Sequence, residues 1–259
     1  MSDIITLTTD LGADDAYVAA MKGVILSINP QAVIVDVCHS IAPQSIGEGA
    51  FVLSTVHRYF PAGTVHVVVV DPGVGTRRRA VLLQTDSACF VAPDNGVLSY
   101  IAAETTPDDR EIIELTNDRL WRQPVSATFH GRDIFAPVAA YLSIGVPPRD
   151  FGPPLSSMVT IPIPRPETGE DRVLIGHIVH IDHFGNLITD VTADDLPRGN
   201  IYIGVGGHFV EGVSASYQEG EEVLAIIGSS DRMEISLRNG NAATLLGARV
   251  GDQVRIKRL

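Results

Sequence analysis

The sequence predicts an α/β protein: an N-terminal α/β domain with a largely parallel sheet, followed by a smaller, β-barrel-like C-terminal domain. Three observations lead there. Apolar runs of strand length alternate with helix-periodic segments over residues 1–152. A stretch with prolines at 153, 154, 162, 164 and 166 then breaks the pattern. Short β-like runs follow, separated by Gly and Asn turns, with no long helix pattern between them. The expected organisation is therefore an α/β domain over 1–152, a Pro-rich linker over 153–171 and a β domain over 172–259.

Taken in order, Ile4–Asp10 (IITLTTD) reads as a buried strand ending in a polar loop. Asp14 is positioned to cap a helix whose apolar residues Val18, Met21, Ile25 and Ile28 recur at helical spacing, and Asn29-Pro30 stops it. Ala32–Val37 is a second strand and Ile46–Tyr59 a second helix, ending before Pro61. Apart from His66, Val65–Asp71 is apolar up to its final aspartate, as a strand covered on both faces should be. AVLLQT and CFVA follow as short strands, a helix opens at Asn95-Gly96, and another spans Ile134–Ile144 before Gly145 and Pro147-Pro148. In the second domain the strand candidates are LIGHIVHI, NLITDV, NIYIGV, EEVLAII, RMEISL and DQVRIKRL.

Of the 259 residues, 45% are hydrophobic and 19% charged, a globular rather than disordered balance. No apolar run approaches the roughly 20 residues that span a bilayer, and residues 1–8 lack a basic, cleavable leader pattern. The expectation is a cytoplasmic protein with no membrane partner. A net charge of −12 repels a phosphate backbone, so nucleic acid is not expected as a partner, whereas a cationic small molecule is tolerated. Cys38 and Cys89 are too few and too scattered for a disulfide framework or a zinc site, and read as buried free thiols.

Five segments carry chemistry. Thr8–Tyr17 places Asp10 at a strand's carboxyl end, where ligands gather in open α/β sheets, with Asp14 and Asp15 just beyond. A carboxylate there can accept both hydroxyls of a ribose. The same cluster is similar to the calcium-binding aspartates of nucleoside hydrolases, but Thr8 stands where those enzymes need another acid, and hard cations want six or more oxygens. No metal is expected. Val67–Arg79 ends a buried strand on Asp71, turns through Pro72-Gly73 and Gly75, and continues into three arginines. It lacks the Lys-Ser/Thr pair of a P-loop. Arg77 and Arg79 read as solvated, but Asp71 needs a partner. Ala127–Phe135 sets His130 ahead of a helix, with Arg132-Asp133 readable as no more than the helix start. Ile181–Asp190 offers the Asp182 carboxylate, the Phe184 ring and the Asn186 amide, suited to an amino group, a flat ring and a base edge, or alternatively a plain β-turn. Gly228–Ala243 brings paired serines, Arg238 and a loop of backbone groups.

In this order, TTDLG..D, DPGVGT.RR, FHGRD, DHFGN and the Ser…Arg-Asn-Gly segment resemble the S-adenosylmethionine hydroxide adenosyltransferases, the hydrolase branch related to fluorinases and chlorinases. The resemblance spans Ile4 to Ala243. It implies cleavage of S-adenosylmethionine to adenosine and methionine, with the small molecule as substrate and no cofactor. It further implies that Asp71, Arg78 and His130 handle the water, that Asp10 binds the ribose hydroxyls and that Asp15 lies near the methionine end. Asp182 would meet the methionine amino group, Phe184 would pack on the adenosine, and Asn186 would contact adenine. Ser230 would bind the carboxylate, and Arg238 with the backbone around Asn241 would line the adenine pocket. The family resemblance also implies a homotrimer, with sites shared between subunits. Halogenation is the alternative within the same resemblance. The chain lacks the halogenases' extra loop after the third strand, since DPGVGT runs straight into Arg77–Arg79, and it carries the Asp–Arg–His set they lack. Asp231 stands where the fluorinase pattern has arginine. A non-catalytic module binding S-adenosylmethionine or adenosine is the remaining reading.

The chemistry suits these residues. A sulfonium leaves as a neutral thioether, so no general acid is needed; an in-line nucleophile is. Arg78 stays charged and cannot be the base. A carboxylate paired with an arginine is a weak base, so His130 is the expected proton acceptor, with Asp71 and Arg78 orienting the water.

Overall fold

In a computed structural model describing residues 3–219 and 222–258, the chain forms two compact units, Met1–Pro162 and Ile163–Leu259. The first is built on a seven-stranded sheet. Its strands are β1 (Ile4–Thr9), β2 (Val33–Cys38), β3 (Thr64–Val69), β4 (Ala80–Thr85), β5 (Ala88–Pro93), β6 (Arg110–Glu114) and β7 (Pro154–Leu155), in the order β2-β1-β3-β5-β4-β6-β7. The pairs from β2 to β5 are parallel. From β5 onward they are antiparallel, because β4 and β5 form a hairpin about Asp86-Ser87 and β6 and β7 extend it. Sequence reading located β4 and β5 but missed β6, whose charged ends dilute a core of only Ile112 and Ile113.

Helices cover both faces, and β3 shows why the sheet must be two-sided. Val65, Val67 and Val69 point into a core shared with Val18, Met21 and Ile25 of α1 (Tyr17–Ile28) and with α4 (Ala136–Ser143). Val68 points the other way, into a core with Leu53 of α2 (Ile46–Val56) and Ile101 of α3 (Ser99–Glu104). Alternation along a strand sends successive side chains to opposite faces, so a Val-rich strand serves two cores. Each fully buried Val, Leu or Ile contributes about 1.5–3 kcal/mol.

Several local expectations are corrected. Asp14 does not cap α1: the helix starts at Tyr17 behind Ala16, and Asp14 is exposed with no capping bond. Asn95-Gly96 turns the chain, but the helix begins only at Ser99. The helix expected from Ile134 is preceded by a π-helical turn over Gly131–Phe135 that runs into α4. Cys38 is only partly buried; Cys89 is buried as expected. The Pro-rich stretch is not featureless. Pro154–Leu155 pairs with β6, while β8 (Glu167–Thr168) pairs with the second unit.

That second unit is an antiparallel, barrel-like sheet. It comprises β8, β9 (Leu174–Ile181), β10 (Leu187–Thr192), β11 (Ile201–Val205), β12 (His208–Glu211), β13 (Val223–Ile227), β14 (Arg232–Leu237) and β15 (Gln253–Arg258). Six of these match the expected runs; β8 and β12 were missed, being short and mostly exposed. Glu221 and Leu259, which end two of the expected strands, lie outside the described residues. A one-turn helix, α5 (Ala242–Leu246), closes onto the interior through Ala242 and Leu246.

Candidate active site

In the first unit the parallel strands β1 and β3 deliver their following residues to one sheet end. The Asp10 amide donates to the Val69 carbonyl at 3.4 Å, which places the two strand exits side by side. Asp10 is half-buried, and its Oδ2 accepts from the Gln44 amide at 2.8 Å. Asp15 is exposed on the approach to α1.

The turn after β3 supplies the sharper arrangement. Asp71 and Arg78 face one another across the Pro72–Arg77 turn. Arg78 Nε donates to both Asp71 oxygens, at 2.9 and 3.1 Å, and Arg78 Nη2 donates to Oδ2 at 2.5 Å. The side chains are only 5% and 10% exposed, so the pair is shielded from solvent screening. Asp71 thus has the partner its burial demands. Arg78 Nη2 also lies 2.7 Å from His130 Nδ1. A guanidinium can only donate, so Nδ1 must accept, and the neutral ring carries its proton on Nε2. Burial, followed by the adjacent Arg78 charge, pushes the His130 imidazole below its ordinary value, against weaker opposing effects of Asp71 and Asp133. This changes the role expected of His130. Its Nδ1 lone pair is taken by a cation and its Nε2 already holds a proton, so it offers a hydrogen-bond donor rather than a proton acceptor.

Two neighbours of this set escaped sequence reading. Arg79 is not a solvated cation: its Nη2 lies 2.5 Å from Oδ2 of Asp94, whose side chain is 1% exposed. Asn95 Nδ2 donates to the Val70 carbonyl at 2.8 Å, one residue before Asp71. The sequence pattern makes Asn95-Gly96 a helix start and gives Asp94 no role, and nothing in it pairs them with the arginine run. Gly75 has φ +76, and a Cβ there would meet the Ala127 carbonyl oxygen at 2.1 Å, so the turn closes directly on the segment preceding His130.

In the second unit, Asp182 organises its own turn. Oδ1 accepts from the Phe184 and Asn186 amides at 2.9 and 2.8 Å, and Oδ2 accepts from Asn186 Nδ2 at 2.9 Å. Gly185, at φ +86, lets the turn abut Asn241, and the Ala243 amide donates to the Gly185 carbonyl at 2.9 Å. Asn241 caps α5 by accepting from the Thr244 amide. A cavity of about 480 Å³ opens between these loops, lined by Phe184, Asn186, Tyr217, Leu237, Asn239 and Gly240. Phe184 is 72% exposed, an aromatic face presented rather than packed. Arg238 is exposed and is not among the lining residues; Leu237 and Asn239 on either side of it are. Arg238 follows the last residue of β14, in the turn where Asn239 takes φ +58. Ser230 sits half-buried in the turn between β13 and β14, apart from that cavity.

Tyr217 was not anticipated. Its hydroxyl donates to Glu234 Oε2 at 3.2 Å, and burial raises the Glu234 carboxyl above its ordinary value. Among the described residues no cluster of three or more His, Cys, Asp or Glu is arranged to hold a metal, and no helix is long and apolar enough to cross a membrane.

An α/β unit with helices on both sheet faces and a largely buried carboxylate–guanidinium–imidazole set, joined in sequence to a barrel-like unit with an aromatic-lined cavity, is matched by family models. The chain belongs to the SAM hydroxide adenosyltransferase family: residues 5–152 match its N-terminal domain and residues 176–255 its C-terminal domain. Similar proteins include an (R)-S-adenosyl-L-methionine hydrolase of Salinispora tropica, 39% identical over 97% of both chains. Another of the same name, from Thermus thermophilus, is 35% identical over 96% of this chain and 97% of its own. A fluorinase of an Actinoplanes species is 34% identical over 76% of this chain and 74% of its own. A crystal structure of an uncharacterized conserved protein from Thermotoga maritima matches 98% of this chain and 100% of its own, with 36% identity and a TM-score of 0.90.

Proposed function

We propose that the protein hydrolyses S-adenosyl-L-methionine at C5′ to adenosine and L-methionine. The observation that carries this reading is the Arg78 guanidinium bonded at once to Asp71 and to His130 Nδ1. The hydrolase names of relatives over nearly the whole chain support it.

The set is suited to holding a water molecule. His130 Nε2–H donates to the water oxygen, and Asp71 accepts from one of its hydrogens. The other lone pair of the water then points at C5′ for in-line attack. The C5′–O bond forms as the C5′–S bond breaks, and the bonding pair returns to sulfur, leaving neutral methionine. Attack converts water into a strongly acidic oxonium, so its proton departs late, to Asp71 and then to solvent. A weak base suffices for that step, which removes the need for a neutral imidazole acceptor. Arg78 orients the Asp71 carboxylate toward the water and, through its bond to Nδ1, fixes the His130 tautomer that donates to it.

On the family resemblance, Asp10 accepts the ribose hydroxyls and Asp15 meets the methionine end of the substrate. Phe184 and Asn186 present a ring face and an amide to the adenine. Asp182, Ser230, Arg238 and Asn241 are retained as substrate-binding candidates on the family resemblance, Asp182 in addition shaping the turn that aims Phe184 and Asn186. A cytoplasmic homotrimer follows from the same resemblance and the globular composition; sedimentation velocity at micromolar concentration tests the trimer.

Chromatography of the products decides the reaction. Adenosine and methionine in equal amounts, unchanged by added chloride, are expected. Formation of 5′-chloro-5′-deoxyadenosine would establish halogenation instead, free adenine would indicate N-glycosidic cleavage, and tight binding without turnover would indicate a sensor.

A further inference from the structure

We infer that Asp133 is a positioning residue for the water-handling set: it locks the segment carrying His130 against the turn carrying Arg78. Its side chain is fully buried, yet it is an aspartate on a turn that also presents the site's histidine. Every oxygen is committed. Arg132 Nε donates to Oδ1 at 2.7 Å and Arg132 Nη2 to Oδ2 at 2.9 Å. Arg122 Nη1 adds a bond to Oδ1 at 3.2 Å, and the Ser126 amide donates to Oδ2 at 2.8 Å. The Asp133 carbonyl also accepts from the Arg122 amide at 2.8 Å. One residue therefore ties Arg122 and Ser126 of the 122–128 loop together.

That loop reaches the other half of the set. Ala127, next to the amide Asp133 holds, puts its carbonyl against Gly75, where no side chain fits. Gly75 lies three residues before Arg78 in the turn that folds Arg78 back onto Asp71. From the other side, Asp133 sits in the π-helical turn immediately after His130, and its own amide donates to the Phe129 carbonyl at 3.2 Å. A π turn inserts an extra residue into helical register, and so re-aims the residue at its start. The Arg132 guanidinium, fixed by Asp133, stacks 5.1 Å from the Phe129 ring, and Phe129 meets Tyr17 edge-on at 5.1 Å. His130 is thereby held from both sides at a distance where 1 Å of drift breaks its 2.7 Å bond to Arg78. The FHGRD motif then has two functional parts: a histidine that touches the water, and an aspartate three residues later that fixes where the histidine stands.

The role rests on the water-handling reading above, and the test separates the two. Asp133→Asn keeps an oxygen for the Ser126 amide but loses the charge that binds both arginines. The expected result is a fall in kcat of about 10- to 100-fold with KM for S-adenosylmethionine changed less than about threefold. In protein labelled with ¹⁵N-histidine, the His130 Nδ1 resonance should also move toward that of an unbonded imidazole nitrogen. Arg132→Met, on a partly exposed side chain, should move both readouts the same way by less, and serves if Asp133→Asn does not fold. An unmoved Nδ1 signal together with wild-type kcat in a folded variant would overturn the inference, as would a loss carried by KM alone. If the wild type releases no adenosine, the functional reading fails, while the Nδ1 signal still decides whether Asp133 sets the geometry.

Discussion

Arg78 Nη2 stands 2.5 Å from Asp71 Oδ2 and 2.7 Å from His130 Nδ1, so a single guanidinium nitrogen ties together residues 59 positions apart in the chain. The two bonds use its two hydrogens, which leaves the remaining His130 nitrogen as an N–H donor, the group the proposed mechanism turns on the water. Lysine could match the charge but not the planar fork. Arg78→Lys is expected to lower kcat by about 100-fold or more with a small change in KM, as for loss of a preorganised electrostatic donor. Steady-state rates from adenosine release measure it.

The pH profile follows from the same bonds. Arg78, Asp71 and Asp133 are the charged groups that act on His130, and burial with Arg78 prevails, lowering its proton affinity. The catalytic arrangement needs the neutral ring, because a protonated Nδ1 would confront a guanidinium. kcat should therefore be level through neutrality and fall only on the acid side of the ordinary imidazole range. A fall centred above pH 7 would contradict the assigned tautomer.

Stability has its own acid limb at His66, outside the catalytic set. This residue is fully buried on β3, bonds Thr6 Oγ1 through Nδ1 at 2.8 Å, and stacks on Phe90 at 5.0 Å. Burial, with a smaller effect from His57, lowers its pKa to about 4 from an ordinary 6.5. Above 6.5 the ring is neutral in both folded and unfolded chains and pH has no effect through it. As pH falls from 6.5 toward 4 the unfolded chain takes the proton and the fold does not, which costs about 3 kcal/mol in full. Urea unfolding at pH 7.5 and pH 4.5 should show this loss, and His66→Phe should shrink the difference while lowering stability at both values.

Gly75 tests the seam between the two segments. Gly75→Ala forces a side chain into the left-handed region and against the Ala127 carbonyl. A cost of about 1–3 kcal/mol in stability is expected, with kcat reduced more than KM is raised. Thermal unfolding and kinetics on the same preparation give both.

In the second unit, Phe184→Ala removes the exposed ring at the 480 Å³ cavity. KM for S-adenosylmethionine should rise about tenfold with kcat less affected, because stacking on the base is uniform binding. Titration calorimetry with adenosine, which lacks the methionine, should show the same loss.

Much of this was readable from local pattern. Strands β1, β3 and β5 and helices α1 and α2 follow from spacing, since burial on one or two faces imposes its period directly on the sequence. Five ordered motifs pointed to the family. What failed was of another kind. β6, paired on both sides, and β12, at a sheet edge, are short strands made stable by partners, not by their own pattern. Arg79 was taken for a surface charge because Asp94, its partner, is fifteen residues away.

The fold class and the family were legible in the amino-acid sequence alone, because each is written in local periodicity and motif order. Only the tertiary structure decided what the motif residues do to one another. Which nitrogen of His130 carries its proton depends on Arg78, 52 residues earlier, and that Asp133 holds the loop pressed on Gly75 depends on a close approach between segments. Hydrogen-bond direction and packing distance are properties of pairs in space, and no single stretch of chain contains both members.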